Sequence, residues 1–324
     1  GLDISSRQSI LTILDDLIKN DFPLLVLCRE IGDLPEKCSH LLVLGKGATV
    51  TQGKKVKVLN DPNVMKLLCP QAPDFGDLPP TLENQTQQTK DEPLLLLRNV
   101  SVRYGEVEVL KDINWTFRHG QHCHISGPNG CGKTTLLSLI LGESHKAYGQ
   151  DITLFGIRRG SGESVWDIKQ KFGQVGTELH LDFTKGMSNL DVVLSGFFDS
   201  VGLYKMHRDS QARHAIKWLK VFRLEQFSSR GFDELSFGFQ RLVLIARAMV
   251  KSPTILVLDE PTLGTDALHR AIILKAIDHV AKHTRTQIIF VSHSPGEKPK
   301  CINQELHFES INQNFNIRII EDQG

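Results

Sequence analysis

Apolar residues take up helical spacing almost at once. Ile10, Leu14, Leu17 and Ile18 recur at i, i+4, i+7 and i+8, and Asp3 and Ser5 stand where a cap belongs, so GLDISSRQSILTILDDL reads as a helix already under way. The unbroken run FPLLVLC follows. A second block of patterned sequence begins at Leu94. In it the segment HCHIS reads as a short strand, Leu136, Leu137, Ile140 and Leu141 form the apolar face of a helix, and Ile255, Val257 and Leu258 belong to a run apolar enough for a strand buried on both faces. The run IIFV near residue 290 reads as another such strand. Buried strands alternating with amphipathic helices predict an α/β core with a parallel sheet. Between the blocks, residues 70–93 (PQAPDFGDLPPTLENQTQQTKDEP) lose all apolar periodicity and read as an exposed linker.

Composition narrows the picture only a little. With 324 residues, 40% apolar and 23% charged, the chain suits one large domain or two smaller ones. Its formal net charge of +1 is spread evenly, so there is no strong signal for nucleic acid or anionic lipid. The apolar runs fall short of the roughly 20 residues that a membrane span requires, so no transmembrane segment is expected. Six cysteines show no CxxC pair, which favours free thiols in a reducing cytosol over disulfides or a metal site.

Two short stretches carry the chemistry. Residues 127–134 read GPNGCGKT, a G-x-x-x-x-G-K-T phosphate loop placed after a strand and opening a helix. Glycines at such a turn let successive backbone N–H groups face inward around phosphates, and the helix N-terminus adds partial positive charge. Gly127, Pro128, Asn129, Gly130, Cys131, Gly132, Lys133, Thr134 and Thr135 are the expected nucleotide-binding residues, with Lys133 reaching the outer phosphates and the Thr134 hydroxyl facing Mg²⁺. Lys133 and a helix N-terminus beside Cys131 predict a stabilised, readily alkylated thiolate there. Far downstream, SPTILVLDEPT delivers Asp259 and Glu260 at the C-terminal end of a buried strand, where ligands bind in open α/β sheets. Asp259 is expected to hold Mg²⁺ through water, and Glu260 to polarise the water that attacks the γ-phosphorus.

The stretch joining these motifs, DELSFGFQRLVLIARAMVKSPTILVLDEPT, resembles the ATP-binding-cassette (ABC) ATPases, whose signature LSGGQQR precedes the acidic strand. Ser236 and Gly238 match that signature; Phe237 and Phe239 depart from it. The resemblance implies a P-loop NTPase fold of the ATP-binding-cassette type: a parallel core sheet, an antiparallel β layer near residues 94–117 and a helical signature subdomain over roughly residues 189–229. It also implies Mg²⁺-dependent ATP hydrolysis, with ATP sandwiched between one domain's phosphate loop and another's signature. Further matches imply that Tyr104 stacks on adenine, His293 contacts the γ-phosphate and Asp266 lies at the dimer seam. One family residue is missing: Thr177 stands where the Q-loop glutamine is expected, with Gln174 three places early.

The opening segment repeats the end of the chain. Alignment of the two puts Asp3 on Asp266, Arg7 on Arg270, Leu11 on Leu274 and Cys38 on Cys301, and one residue of slack puts Arg29 on His293. Residues 1–69 therefore read as the tail of a first cassette starting at its D-loop, with Asp3 at a second dimer seam, and residues 94–324 as a complete second cassette. The segments GIRRGSGESVWDIKQKFGQV and VVLSGFFDSVGLY resemble the tandem ModF/PhrA type, associated with molybdate transport. That resemblance implies a missing first cassette or a second copy as partner, a membrane permease as a further partner, and a location in the cytoplasm, peripheral to the inner face of the cell membrane. The alternatives are a soluble cassette protein not coupled to transport, translation- or repair-associated, with the short Pro-rich linker arguing against the translational class, and a weakly active scaffold, which only Thr177 and Arg29 favour.

Overall fold

The computed structural model describes residues 4–28, 31–45, 47–68, 72–82, 92–183, 186–293, 297–311 and 314–321. The chain divides into two compact units, Gly1–Asp74 with Thr262–Lys275, and Phe75–Pro261 with Ala276–Gly324.

In the smaller unit, helix α1 (Ile4–Lys19) is followed by a stretch without regular secondary structure over residues 22–28 and an antiparallel hairpin, β1 (His40–Gly45) and β2 (Ala48–Lys54). Short helices α2 (Lys55–Leu59) and α3 (Pro62–Leu68) close a minimal core of Val43, Val58 and Val64. The stretch FPLLVLC has the composition of a buried strand, yet among the described residues it joins no sheet. Leu25 and Leu27 are 90% and 89% exposed, because a strand apolar on both faces needs neighbours on both sides to cover it. Asp15 ties α1 to the turn before the hairpin by accepting from the backbone N–H groups of Glu36 and Lys37 at 3.2 and 2.9 Å.

The larger unit begins with an antiparallel layer, β3 (Leu95–Tyr104) and β4 (Val107–Phe117), joined later by two further strands, β6 (Asp151–Leu154) and β7 (Ile157–Arg158). The chain then runs through β5 (Cys123–Ser126), α4 (Lys133–Ile140), β6 (Asp151–Leu154), β7 (Ile157–Arg158), α5 (Val165–Lys171), β8 (Phe172–Val175) and α6 (Thr177–Asp182). Helices α7 (Asn189–Ser195) and α8 (Asp209–Val221) form the expected helical region, and α9 (Phe237–Met249) returns to the sheet. Strand β9 (Ile255–Asp259), helix α10 (Ala267–His283), strand β10 (Gln287–Ser292) and the hairpin β11 (Gln304–Ile311) and β12 (Asn314–Glu321) complete the chain.

The main sheet has the order β12-β11-β5-β10-β9-β8, parallel throughout except at β12. Register matters for function here. Ser292 pairs with Ser126 and Val291 with Asp259, so Gly127, Glu260 and His293 leave neighbouring strands at one edge of the sheet. Every residue of β5 and β10 is buried, as strands flanked on both sides must be.

Residues 75–82 belong to the larger unit: Phe75 packs edge-on against Phe222 with ring centroids 5.5 Å apart, the Gly76 N–H donates to Val221 O, and the Leu82 N–H donates to Ser252 Oγ. One aromatic ring and paired backbone groups suffice to dock a segment whose composition is that of a loop.

The repeat in sequence has a counterpart in structure. An offset of 263 residues separates the first residues of α1 and α10, and the same offset separates Asp15 from Asp278. Asp278 accepts from the backbone N–H of Cys301 at 2.9 Å, and Asp15 from that of Lys37, one residue before the position that the offset would match; each precedes an antiparallel hairpin.

Candidate active site

The phosphate loop turns sharply out of β5 because its glycines permit it. Gly127, Gly130 and Gly132 have φ of 148°, 78° and 105°. A Cβ on Gly127 would come within 2.6 Å of Phe308 Cβ, and one on Gly132 within 2.9 Å of a Leu110 methyl, so the loop backbone is pressed against β11 and β4. Lys133 curls over its own loop, donating from Nζ to Gly127 O at 2.8 Å and Pro128 O at 2.9 Å. Asn129, Gly130 and Thr134 are exposed, and Thr135 is half-buried.

Cys131 does not match the reactive thiol that its neighbours suggest. Its side chain is 1% exposed within the core, and burial pushes the thiol up against the opposing pull of the Lys133 charge and nearby backbone N–H groups. With iodoacetamide on the native chain, Cys131 should label far more slowly than the half-buried Cys38 and should react only after denaturation. Labelling of Cys131 as fast as Cys38, read by peptide mapping, would refute this.

Across the strand ends stand the carboxylates. Asp259 ends β9; Glu260 follows at φ 50°, its N–H donating to Val291 O at 3.0 Å. This left-handed turn re-aims the carboxylate away from the strand direction. Glu260 receives His293 Nδ1 on both oxygens, at 3.0 and 3.1 Å. Since an ionised carboxylate only accepts, Nδ1 carries the proton in this pair. Lys133, Thr134, Thr135, Asn129, Asp259 and Glu260 line one cavity of about 310 Å³. A larger one of about 500 Å³ adjoins it at Thr134 and Asp259 and is lined by both Gln174 and Thr177, so the early glutamine and the substituted threonine share a wall.

The signature follows at the start of α9. Ser236 holds the N-cap position of α9 and is exposed. Gly238 is buried in the first turn. Arg241 is fully buried, donating to Gly176 O at 3.1 Å and Thr177 Oγ1 at 3.4 Å; burial lowers its pKa to about 10, opposed by the Asp259 charge. The signature reading includes this arginine only as its last residue, with no role assigned, and it misses His180, which α6 lays against Phe237. The departures at Phe237 and Thr177 were the signal that could have found them.

Tyr104 ends β3 and is 48% exposed, with the Lys146 ammonium 5.7 Å from its ring centroid. Asp266 caps α10: it accepts from the His269 N–H at 2.8 Å and pairs with His269 Nδ1 at 2.8 Å. Partial burial raises its pKa, but those bonds outweigh it and hold the carboxyl below the usual range. Asp3 and Arg29 lie outside the described residues.

A phosphate loop on a parallel sheet, facing adjacent carboxylates at the next strand ends, defines a P-loop nucleotide-binding domain. The profile of the family described as "ABC transporter" matches residues 110–263. The chain belongs to the ATP-binding proteins of the ABC transporter family. It is 37% identical over 311 residues, 95% of its own length, to the ABC transporter ATP-binding protein ModF of Escherichia coli (strain K12), and spans 64% of that protein. It is 32% identical over 233 residues to the zinc uptake system ATP-binding protein ZurA of Listeria innocua, covering 71% of this chain and 85% of that one. Among solved structures, the dimeric form of MJ0796, a bacterial ABC transporter cassette, superposes with a TM-score of 0.58 at 22% identity, over 71% of this chain and 99% of the other.

Proposed function

We propose that the chain binds ATP with Mg²⁺ and hydrolyses it at the edge formed by β5, β9 and β10. One observation carries the reading: the phosphate loop, Asp259 and Glu260 line a single cavity, with Glu260 held by His293. Lys133 exchanges its loop carbonyls for the outer phosphates, a substitution that favours a charged acceptor over neutral ones. The Thr134 hydroxyl and the Asp259 carboxylate are hard oxygen donors of the kind Mg²⁺ takes, directly or through water, and they line the same cavity. When bound, the metal supplies charge neutralisation to the β- and γ-phosphate oxygens. Glu260 accepts the proton of the attacking water as its oxygen bonds to the γ-phosphorus and the β–γ bridging bond breaks, leaving ADP and phosphate. His293 fixes the orientation of that carboxylate. In the family's arrangement Ser236 and Gly238 serve the nucleotide of a partner cassette, and Asp266 lies at the seam, with Asp3 in the corresponding place of the first segment.

Residues 1–69 are read as the end of another cassette, supported by the shared offset and by similar backbone bonds to Asp15 and Asp278 whose donors lie one residue out of register. The partner is then that cassette or a second copy of this chain. The resemblance of GIRRGSGESVWDIKQKFGQV and VVLSGFFDSVGLY to the ModF/PhrA type favours molybdate transport with a membrane permease at the inner face of the cell membrane; among the described residues no helix is long and apolar enough to cross a membrane. The direct test is phosphate release from ATP by the full chain. It should proceed with Mg²⁺ and stop with excess chelator, and a chain that neither binds nor hydrolyses ATP would overturn the reading.

A further inference from the structure

Two of the departures from the family pattern, Thr177 and Phe237, are linked in space through Arg241. Thr177 begins α6 directly after β8, the strand beside β9 and its Asp259; Phe237 opens α9 directly after Ser236. The His180 ring lies 4.5 Å from the Phe237 ring at 31°, a near-stacked pair, and Arg241 covers Phe237 with its guanidinium carbon 4.9 Å from the centroid. His180 Nε2 lies 2.8 Å from Gln240 Oε1, and Gln240 in turn donates from Nε2 to Phe232 O at 2.9 Å. Arg241 reaches back to Gly176 O and Thr177 Oγ1. The short helix α6 is thereby fastened at both its start and its middle to the first turn of α9. A Cβ on Gly176 would stand 3.8 Å from Asp259 Cβ, so the fastened segment begins at the side of the metal-binding carboxylate.

His180 is 8% exposed, and its Nδ1 finds no partner while Nε2 is engaged. A buried ring nitrogen left unsatisfied costs stability, and such a histidine needs another reason to be there. The aromatic pair supplies one. A glycine at position 237, as in the family signature, would offer His180 no ring to pack on.

We propose that His180 is a positioning residue: stacked on Phe237 and bonded to Gln240, it transmits the arrangement of the segment beside Asp259 to the signature turn that carries Ser236 and Gly238. The inference rests on the proposed ATP site. In a single chain the signature turn then responds to nucleotide bound at that chain's own phosphate loop, without contact from a partner.

Hydrogen exchange read by mass spectrometry tests this on the full chain, diluted until light scattering reports a monomer. Adding Mg²⁺ and ATP should slow exchange both in residues 172–183 and in the first turn of α9. His180→Ala should keep ATP affinity within about twofold and keep the response of residues 172–183, but lose that of α9. The pair His180→Phe with Gln240→Leu retains the ring contact and removes both polar partners, so it should restore the α9 response; unchanged exchange in β5 and β10 checks that each variant is folded. Two results would overturn the inference while leaving the ATP site standing: ATP protecting the phosphate loop of the native chain without touching α9, or His180→Ala preserving the α9 response. A native chain with no ATP affinity would remove the ATP reading and the inference together.

Discussion

Glu260→Gln should bind ATP with native affinity and hydrolyse it at least ~10²-fold more slowly, the scale expected for loss of a general base. The substitution keeps the size and one acceptor oxygen of the side chain, so His293 Nδ1 retains a partner and the left-handed turn at 260 is undisturbed. What disappears is the capacity to take a proton. Binding rests instead on the loop backbone and Lys133, residues that the substitution does not touch. Phosphate release and fluorescent-nucleotide binding, measured on the same preparation, separate the two effects. Undiminished hydrolysis by the variant would remove Glu260 from the proposed mechanism. A parallel loss of affinity would mean that the carboxylate supports the loop itself.

Much of the larger unit was legible from local pattern. The phosphate loop announces itself because a glycine turn between strand and helix admits few sequences, and residues 255–258 are apolar enough to require burial on both faces. The antiparallel layer and the helical region near residue 189 followed from the family resemblance rather than from periodicity. What escaped depends on contacts distant in sequence. Cys131 lies one residue before a helix N-terminus, yet the direction of its side chain is set by packing within the core, and burial outweighs the nearby positive charge. His180 and Gln240 are sixty residues apart, and no spacing rule links them. Phe75 sits in a Pro-rich stretch whose composition says loop, while its ring finds Phe222. FPLLVLC shows the converse: its composition asks for strand neighbours that the described residues of its unit do not provide, so it forms no strand and stays largely exposed.

Mixing two inactive variants should restore hydrolysis, because the account divides each working site between a phosphate loop and the signature of another cassette. The described larger unit contains one of each, Lys133 in the loop and Ser236 before α9. Lys133→Ala removes the cation that bridges the loop, and should abolish nucleotide binding on that chain. Ser236→Arg leaves the loop intact but fills the signature's exposed face with a long charged side chain. Head-to-tail pairing of two copies joins the intact loop of the second variant to the intact signature of the first, and rebuilds one of the two sites. The decisive measurement is therefore the specific ATPase activity of each variant alone and of their equimolar mixture, across a range of protein concentration. The account predicts near-zero activity for each alone and recovery in the mixture that rises with concentration. A Ser236→Arg chain that hydrolyses ATP at the native rate by itself, independent of concentration, would contradict it.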